Sequence, residues 1–210
     1  MKLTDKPVTN FLDELASNAP APGGGSVASL GGALGAALVS MVCNLTLDKK
    51  GYEDVQDDIQ ALLARSEALR GELTGLLEAD VAAYSGYSAA AKMPRGTDEE
   101  KAARAEAMEA ALKIATDVPL QIAEAAAKVM DLCMPAAKKG NKWAVSDAGV
   151  AVLMAEAALR SAALNVLINL GSFALKDEAF KADRRARLES LLAGKGQMRD
   201  EIYDYVVGRL

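Results

Sequence analysis

Residues 20–35 read PAPGGGSVASLGGALG, and no charged side chain follows until Asp48. This stretch is a phosphate-cradling loop, a membrane span, or the approach to a buried helix of a soluble bundle. A P-loop needs Gly-Lys-Ser/Thr after the glycines and a strand before them, and the stretch has neither. Ser26 to Leu47 covers 22 residues, about 33 Å as a helix, which is long enough to cross a bilayer. Ala28, Gly32 and Ala36, with Gly31 and Gly35, have the spacing of small residues at packed membrane interfaces. Yet ten of the 22 residues are Gly, Ala or Ser, and Ser40, Asn44 and Thr46 add polar atoms. Such a segment is weakly lipophilic. It reads better as the central helix of a bundle, where small residues let neighbouring helices come close. Gly23, Gly24, Gly25 and Ser26 then form the N-terminal approach to that helix. Their bare amides and the helix dipole suit a carboxylate, a phosphate or a developing oxyanion. An ordinary turn with Ser26 as N-cap is the competing reading.

The rest of the chain is helical by pattern. Pro7 to Ser17 predicts a short first helix with Phe11, Leu12 and Leu15 on one face. From about Glu53 to Ala91 a long helix carries the seam Val55, Ile59, Leu62, Ser66, Leu69, Leu73, Leu76, Asp80, Ala83, Tyr87 in three- and four-residue steps. Thr97-Asp98-Glu99-Glu100 is a capping box that opens the next helix. Pro119 is expected to kink that helix or split it. Helices follow from about Ser146 to Gly171, from Asp177 to Leu192, and from Gln197 to Leu210. No linker, repeat or low-complexity tract divides the chain. The expectation is all-α: one domain over 1–210, a multi-helix bundle around a buried helix rich in small residues.

Composition narrows the function. The chain has 210 residues, 51% apolar and 25% charged, with a formal net charge of −5. That balance argues against a nucleic-acid binder, which needs a basic face. Two cysteines, Cys43 and Cys133, build no disulfide framework and fit a reducing compartment. The polar opening segment from Met1 to Asn10 has no signal-peptide pattern, so a cytoplasmic protein is expected. Histidine is absent, which removes the Ser–His–Asp triad, the imidazole base and the commonest zinc sites. Catalysis must rest on carboxylates, lysine, tyrosine, cysteine, amides or backbone dipoles.

Several polar residues stand where apolar ones are expected. Asp80 occupies a seam position, where a carboxylate either locks the bundle through a partner or lines a cleft. Burial would raise its pKa and suit it to proton transfer. Ser161, Asn165 and Asn169 are four apart and share a helix face. The asparagines either satisfy each other across an interface or read the polar edge of a heterocycle. Asn141, Ser146 and Asp147 lie in a turn, where Ser146 or Asp147 could cap the following helix. Lys49-Lys50 and the cluster Lys138, Lys139 and Lys142 are either anion sites or solvated helix ends. Glu156 and Arg160 form an i,i+4 pair.

The motifs PAPGGGSVAS, SMVCNLTLDKK, EADVAAY, MPRGTDEEKAAR, GN followed by SD, and NVLINL, in that order, resemble the cyclodeaminase/cyclohydrolase family of folate enzymes. The resemblance spans about Phe11 to Leu192. It implies an all-α homodimer with folate-binding clefts, and carries binding or catalytic roles to Gly23, Gly24, Gly25, Ser26, Asp80, Asn141, Asp147, Asn165 and Asn169. Lys49 and Lys50 stand where the family tends to be basic. On this reading Asp80 moves the proton, the Gly23–Ser26 amides and the asparagines position a tetrahydrofolate, and the two lysines attract its glutamate tail. The expected partners are tetrahydrofolate derivatives and a second copy of the chain, with no nucleic acid and no membrane. No metal is expected, and no cofactor beyond the folate substrate. Hydrolysis of 5,10-methenyltetrahydrofolate to 10-formyltetrahydrofolate is the first reading, favoured by the start at Met1 without a formiminotransferase domain. Formiminotetrahydrofolate cyclodeaminase is the alternative. A non-enzymatic scaffold or membrane-associated protein, using the small-residue helix as its partner face, is a third.

Overall fold

A computed structural model describes residues 3–210; Met1 and Lys2 of the polar opening segment lie outside the described residues. The α-helices are α1 (Val8–Leu15), α2 (Gly24–Asn44), α3 (Gln56–Ala91), α4 (Asp98–Lys139), α5 (Val145–Leu170), α6 (Glu178–Leu192) and α7 (Lys195–Val207). No strand occurs among the described residues.

Helices α2 to α5 form an up-down bundle, which their short connections favour. Polar side chains on α2 set its register against the antiparallel α3. Ser40 and Ser66 share a hydrogen bond of 2.8 Å, and Ser29 Oγ donates to the Leu73 carbonyl at 2.5 Å. On the other flank α5 runs antiparallel to α2, with Gly31 against Met154 and Ala158. A Cβ on Gly35 would lie 3.0 Å from the Ala151 carbonyl. Only glycine lets the two backbones come this close, which is the role expected of the small residues. The seam of α3 faces the same core: Ile59, Leu62, Ser66, Leu69, Leu73, Leu76 and Ala83 are buried, while Asp80 and Tyr87 are half-buried. Cys43 and Cys133 are buried, and burial pushes the Cys43 thiol up to about 11, so both act as core residues.

Two local expectations shift. The glycine run is not a loop in front of the helix: Gly23 is the N-cap, and Gly24 and Gly25 are the first turn of α2. Helix α4 is continuous across Pro119, neither ended nor divided there. Proline has no N–H to give the carbonyl of Ala115. The side chain of Asn169 takes that place, its Nδ2 donating to Ala115 O at 2.6 Å. An asparagine on α5 thus mends the broken hydrogen-bond ladder of α4.

The outer helices α6 and α7 dock through ion pairs at the surface and apolar side chains beneath them. Asp177 caps α6 by accepting from Phe180 N at 2.9 Å and pairs with Lys113 of α4 at 2.6 Å. Arg184 pairs with Asp117 at 2.7 Å, Arg187 with Glu124, and Lys195 of α7 with Asp131 at 2.5 Å. Leu188, Ile202 and Val206 plug into the core beneath them. Glu156 is buried and pairs with Arg160 at 2.5 Å, the structural pair its spacing suggests.

Candidate active site

Where α2 begins, α3, α4 and α5 leave a cleft of about 310 Å³. Gly23, Gly24 and Gly25 form one wall, Asp80, Tyr84 and Tyr87 of α3 a second, and Asn165 and Asn169 of α5 a third. Ala115 and Pro119 close it on the α4 side.

Asp80 sits at the N-terminal end of α2, whose own cap residue supplies no side-chain hydrogen bond. Its Oδ2 accepts from Ser26 Oγ at 2.8 Å. Two effects oppose each other here. Desolvation by burial raises the carboxyl pKa, and the hydrogen bonds from the Ser26 hydroxyl and amide lower it; burial wins, so the carboxyl lies above its ordinary value. The carboxylate fits only because residue 25 is glycine. A Cβ there would stand 2.0 Å from Asp80 Oδ1 and 2.6 Å from its Cγ.

The asparagines do not pair with each other. Asn165 Nδ2 donates to Ser161 O at 2.8 Å, beside Gly24, and Asn169 donates to Ala115 O. Each amide spends one of its two N–H groups in these bonds, so its second N–H and its oxygen are left to a ligand. Chemically, the cleft offers one carboxyl of raised pKa, two amides, an anion-friendly helix end and two aromatic rings.

Gly23, Gly24, Gly25, Asp80, Asn165 and Asn169 therefore line one cleft, and Ser26 is tied to it through Asp80. Lys49, Lys50, Asn141 and Asp147 lie at the opposite end of α2, about 30 Å away for a helix of 21 residues. Lys49 and Lys50 are exposed and line a separate shallow cavity with Asp48 and Glu53. Asn141 is buried and used structurally: its Nδ2 donates to Leu45 O at 3.1 Å, its amide to Thr46 Oγ1 at 2.8 Å, and its Oδ1 accepts from Trp143 N. Asp147 is half-buried in the first turn of α5. Tyr84 and Tyr87 were absent from the sequence-based candidates. Their signal was present, since they follow Asp80 by four and seven residues and so share its helix face.

Known proteins resemble this chain over nearly its whole length. The family described as formiminotransferase-cyclodeaminase matches residues 7–190. The methenyltetrahydrofolate cyclohydrolase of Methylorubrum extorquens is 51% identical over 203 residues, 97% of each chain. The formimidoyltransferase-cyclodeaminase of Sus scrofa is 39% identical over 190 residues, which is 90% of this chain and 35% of that larger protein. The crystal structure of formiminotetrahydrofolate cyclodeaminase from Thermotoga maritima superposes with a TM-score of 0.82 at 30% identity, covering 100% of this chain and 98% of that one. With the match running across the bundle and its cleft alike, the chain belongs to the formiminotransferase-cyclodeaminase family.

Proposed function

We propose that this protein is a methenyltetrahydrofolate cyclohydrolase, converting 5,10-methenyltetrahydrofolate to 10-formyltetrahydrofolate. The observation that carries this reading is the Asp80 carboxyl of raised pKa, set against a helix N-terminus in an apolar, aromatic-walled cleft. The likeness to the Methylorubrum enzyme favours the cyclohydrolase over the cyclodeaminase.

The substrate's bridging carbon belongs to a cationic amidinium between N5 and N10, so it is already electrophilic. Asp80, ionised, takes a proton from the attacking water as the C–O bond forms. The resulting tetrahedral carbinolamine carries the hydroxyl and both nitrogens on one carbon. Asp80 returns its proton to N5 as the C–N5 bond breaks, the carbinolamine hydroxyl loses its proton to solvent as its oxygen becomes the formyl C=O, and the formyl group stays on N10. The Asp80 negative charge also complements the amidinium, and the acceptor oxygens of Asn165 and Asn169 orient the pterin's N–H edge. As proposed, the route uses no metal and no further cofactor.

The protein is further proposed to be a single-domain, cytoplasmic homodimer. Two helices, 24–44 and 142–170, are long and apolar enough to cross a membrane, but 61% and 50% of their apolar windows are buried against other helices. That burial supports the soluble reading. A deciding assay mixes purified protein with 5,10-methenyltetrahydrofolate and follows its absorbance, with a parallel tube of 5-formiminotetrahydrofolate assayed for ammonia. Hydrolysis above the spontaneous rate without ammonia release is expected. Ammonia release with methenyl accumulation makes the protein a cyclodeaminase, and silence in both tubes overturns the enzyme reading.

A further inference from the structure

The cleft around Asp80 does not end at Tyr84. A second, shallower cavity of about 390 Å³ shares Pro20, Ala21 and Tyr84 with it and adds Ser85, Ser88 and Lys92. Asp80, Tyr84, Ser88 and Lys92 succeed one another at intervals of four, so they stand along one i±4 ridge of α3. Lys92 is the C-cap residue and keeps helical dihedrals, φ −90° and ψ −2°, so the ridge runs on to it. It lies about 18 Å beyond Asp80 along the helix axis.

The chemistry along this ridge changes in a definite order: a carboxyl, an aromatic ring, a hydroxyl, a cation. A folate presents the complementary order from its reacting end, namely a cationic amidinium carbon, an aryl ring, an amide and then the glutamate carboxylates. No lysine or arginine lines the Asp80 cleft, although the tail of the substrate is anionic. Lys49 and Lys50 are a helix length away, and Asp48 and Glu53 share their cavity. Lys92, by contrast, is exposed and forms no ion pair among the described residues. Tyr84, 42% exposed, forms the sill between the two cavities, where an aryl ring can stack on it.

We propose that the Tyr84–Ser88–Lys92 groove is the subsite for the substrate's glutamate tail, with Tyr84 against the aryl ring and Lys92 pairing the carboxylates. This inference rests on the folate reading above. It moves the tail-binding role from Lys49 and Lys50 to a residue of the same protomer's α3.

The test compares kcat/KM for 5,10-methenyltetrahydrofolate and for its tail-less pteroate analogue in the wild type, Lys92→Ala and Lys92→Arg. The wild type is expected to prefer the glutamate-bearing substrate. Lys92→Ala should raise KM for that substrate about tenfold, the effect of losing one charge-assisted contact, and move kcat far less. The preference should narrow by the same factor, and Lys92→Arg should restore it. An intact preference in Lys92→Ala overturns the subsite, as does a preference lost only when Lys49 and Lys50 are both replaced by alanine. A wild type that turns over neither compound and releases no ammonia from 5-formiminotetrahydrofolate rejects the folate reading and the subsite together, whereas an active wild type with an unaltered Lys92→Ala rejects the subsite alone.

Discussion

At the residue scale the site turns on Asp80 and on the glycine that makes room for it. Asp80→Asn keeps the shape and can still accept from Ser26 Oγ, but cannot take a proton. We predict a fall in kcat of about 10²- to 10⁴-fold in the methenyl-hydrolysis assay, and wild-type turnover in the variant would remove Asp80 from the mechanism. In the wild type the acid limb of kcat/KM should lie above the ordinary carboxylate range, because burial raises this carboxyl. The same shift has a consequence for stability. The folded chain holds the Asp80 proton more tightly than the unfolded chain, so stability falls as pH rises from the unfolded pKa through the folded one. Asp80→Asn should therefore melt higher than wild type at neutral pH, with the gap closing as the pH drops below the ordinary carboxylate range. Gly25→Ala should also lose rate, but without the gain in stability. Its Cβ would overlap the Asp80 carboxyl, the end of a side chain free to swing away, so melting should hardly change. A displacement of about 1 Å at a proton-transfer group nevertheless costs on the order of 10²-fold in rate. Asp80 was legible in the sequence because a charge interrupts an apolar seam. Tyr84 was legible only through its four-residue spacing from Asp80, since an aromatic residue on a half-exposed helix face carries no conflict with its surroundings until the cleft beside it is known.

At the scale of elements, Pro119 and Asn169 show where pattern reading stops short. The helical periodicity of α4 and its Thr97–Glu100 capping box were both legible, and the box closes in the structure, with Glu100 N donating to Thr97 Oγ1 at 3.2 Å. A proline 21 residues inside the helix argued for a kink or a split, and the split does not occur, because local sequence shows the missing donor and not its replacement from another helix. The replacement also ties cleft geometry to fold stability, since Asn169 both lines the cleft and satisfies Ala115 O. Asn169→Ala should destabilise the protein by about 1 kcal/mol, the net worth of one hydrogen bond at a half-buried carbonyl. Pro119→Ala returns a backbone N–H to that carbonyl. In a double-mutant cycle read by chemical denaturation, Asn169→Ala should cost clearly less in the Pro119→Ala background. Additive effects would mean that the 2.6 Å contact does not do the repair assigned to it.

At the scale of the whole molecule, the buried small-residue helix turned out to be only half covered. The inward face of α2 packs on α3, α4 and α5, while Val27, Leu34, Met41 and Leu45 remain exposed, with Val150, Leu153, Leu164 and Ile168 of α5 beside them. No charge interrupts α2 from Gly24 to Asn44. Sequence alone could tell that this helix was apolar all round, though not which face a partner must cover. The exposed positions are symmetric about Leu34. Val27 and Met41 lie seven residues to either side, the half-exposed Leu30 and Leu38 four, and Gly31 and Ala37 three. A two-fold axis crossing α2 at Leu34 would pair each of these residues with its counterpart in an antiparallel copy, the self-complementarity an isologous interface requires. The proposed homodimer therefore has a specific weak point. Leu34→Arg places one charge on each side of the axis, two like charges together where both must be desolvated, while leaving the monomer's core untouched because Leu34 is 48% exposed. We predict a dimer mass for the wild type and a monomer mass for Leu34→Arg by light scattering after size exclusion, with helical content by circular dichroism unchanged. Lys92→Ala, remote from this face, should remain dimeric. A monomeric wild type would leave the stripe without its occupant, and a dimeric Leu34→Arg would move the two-fold axis off α2.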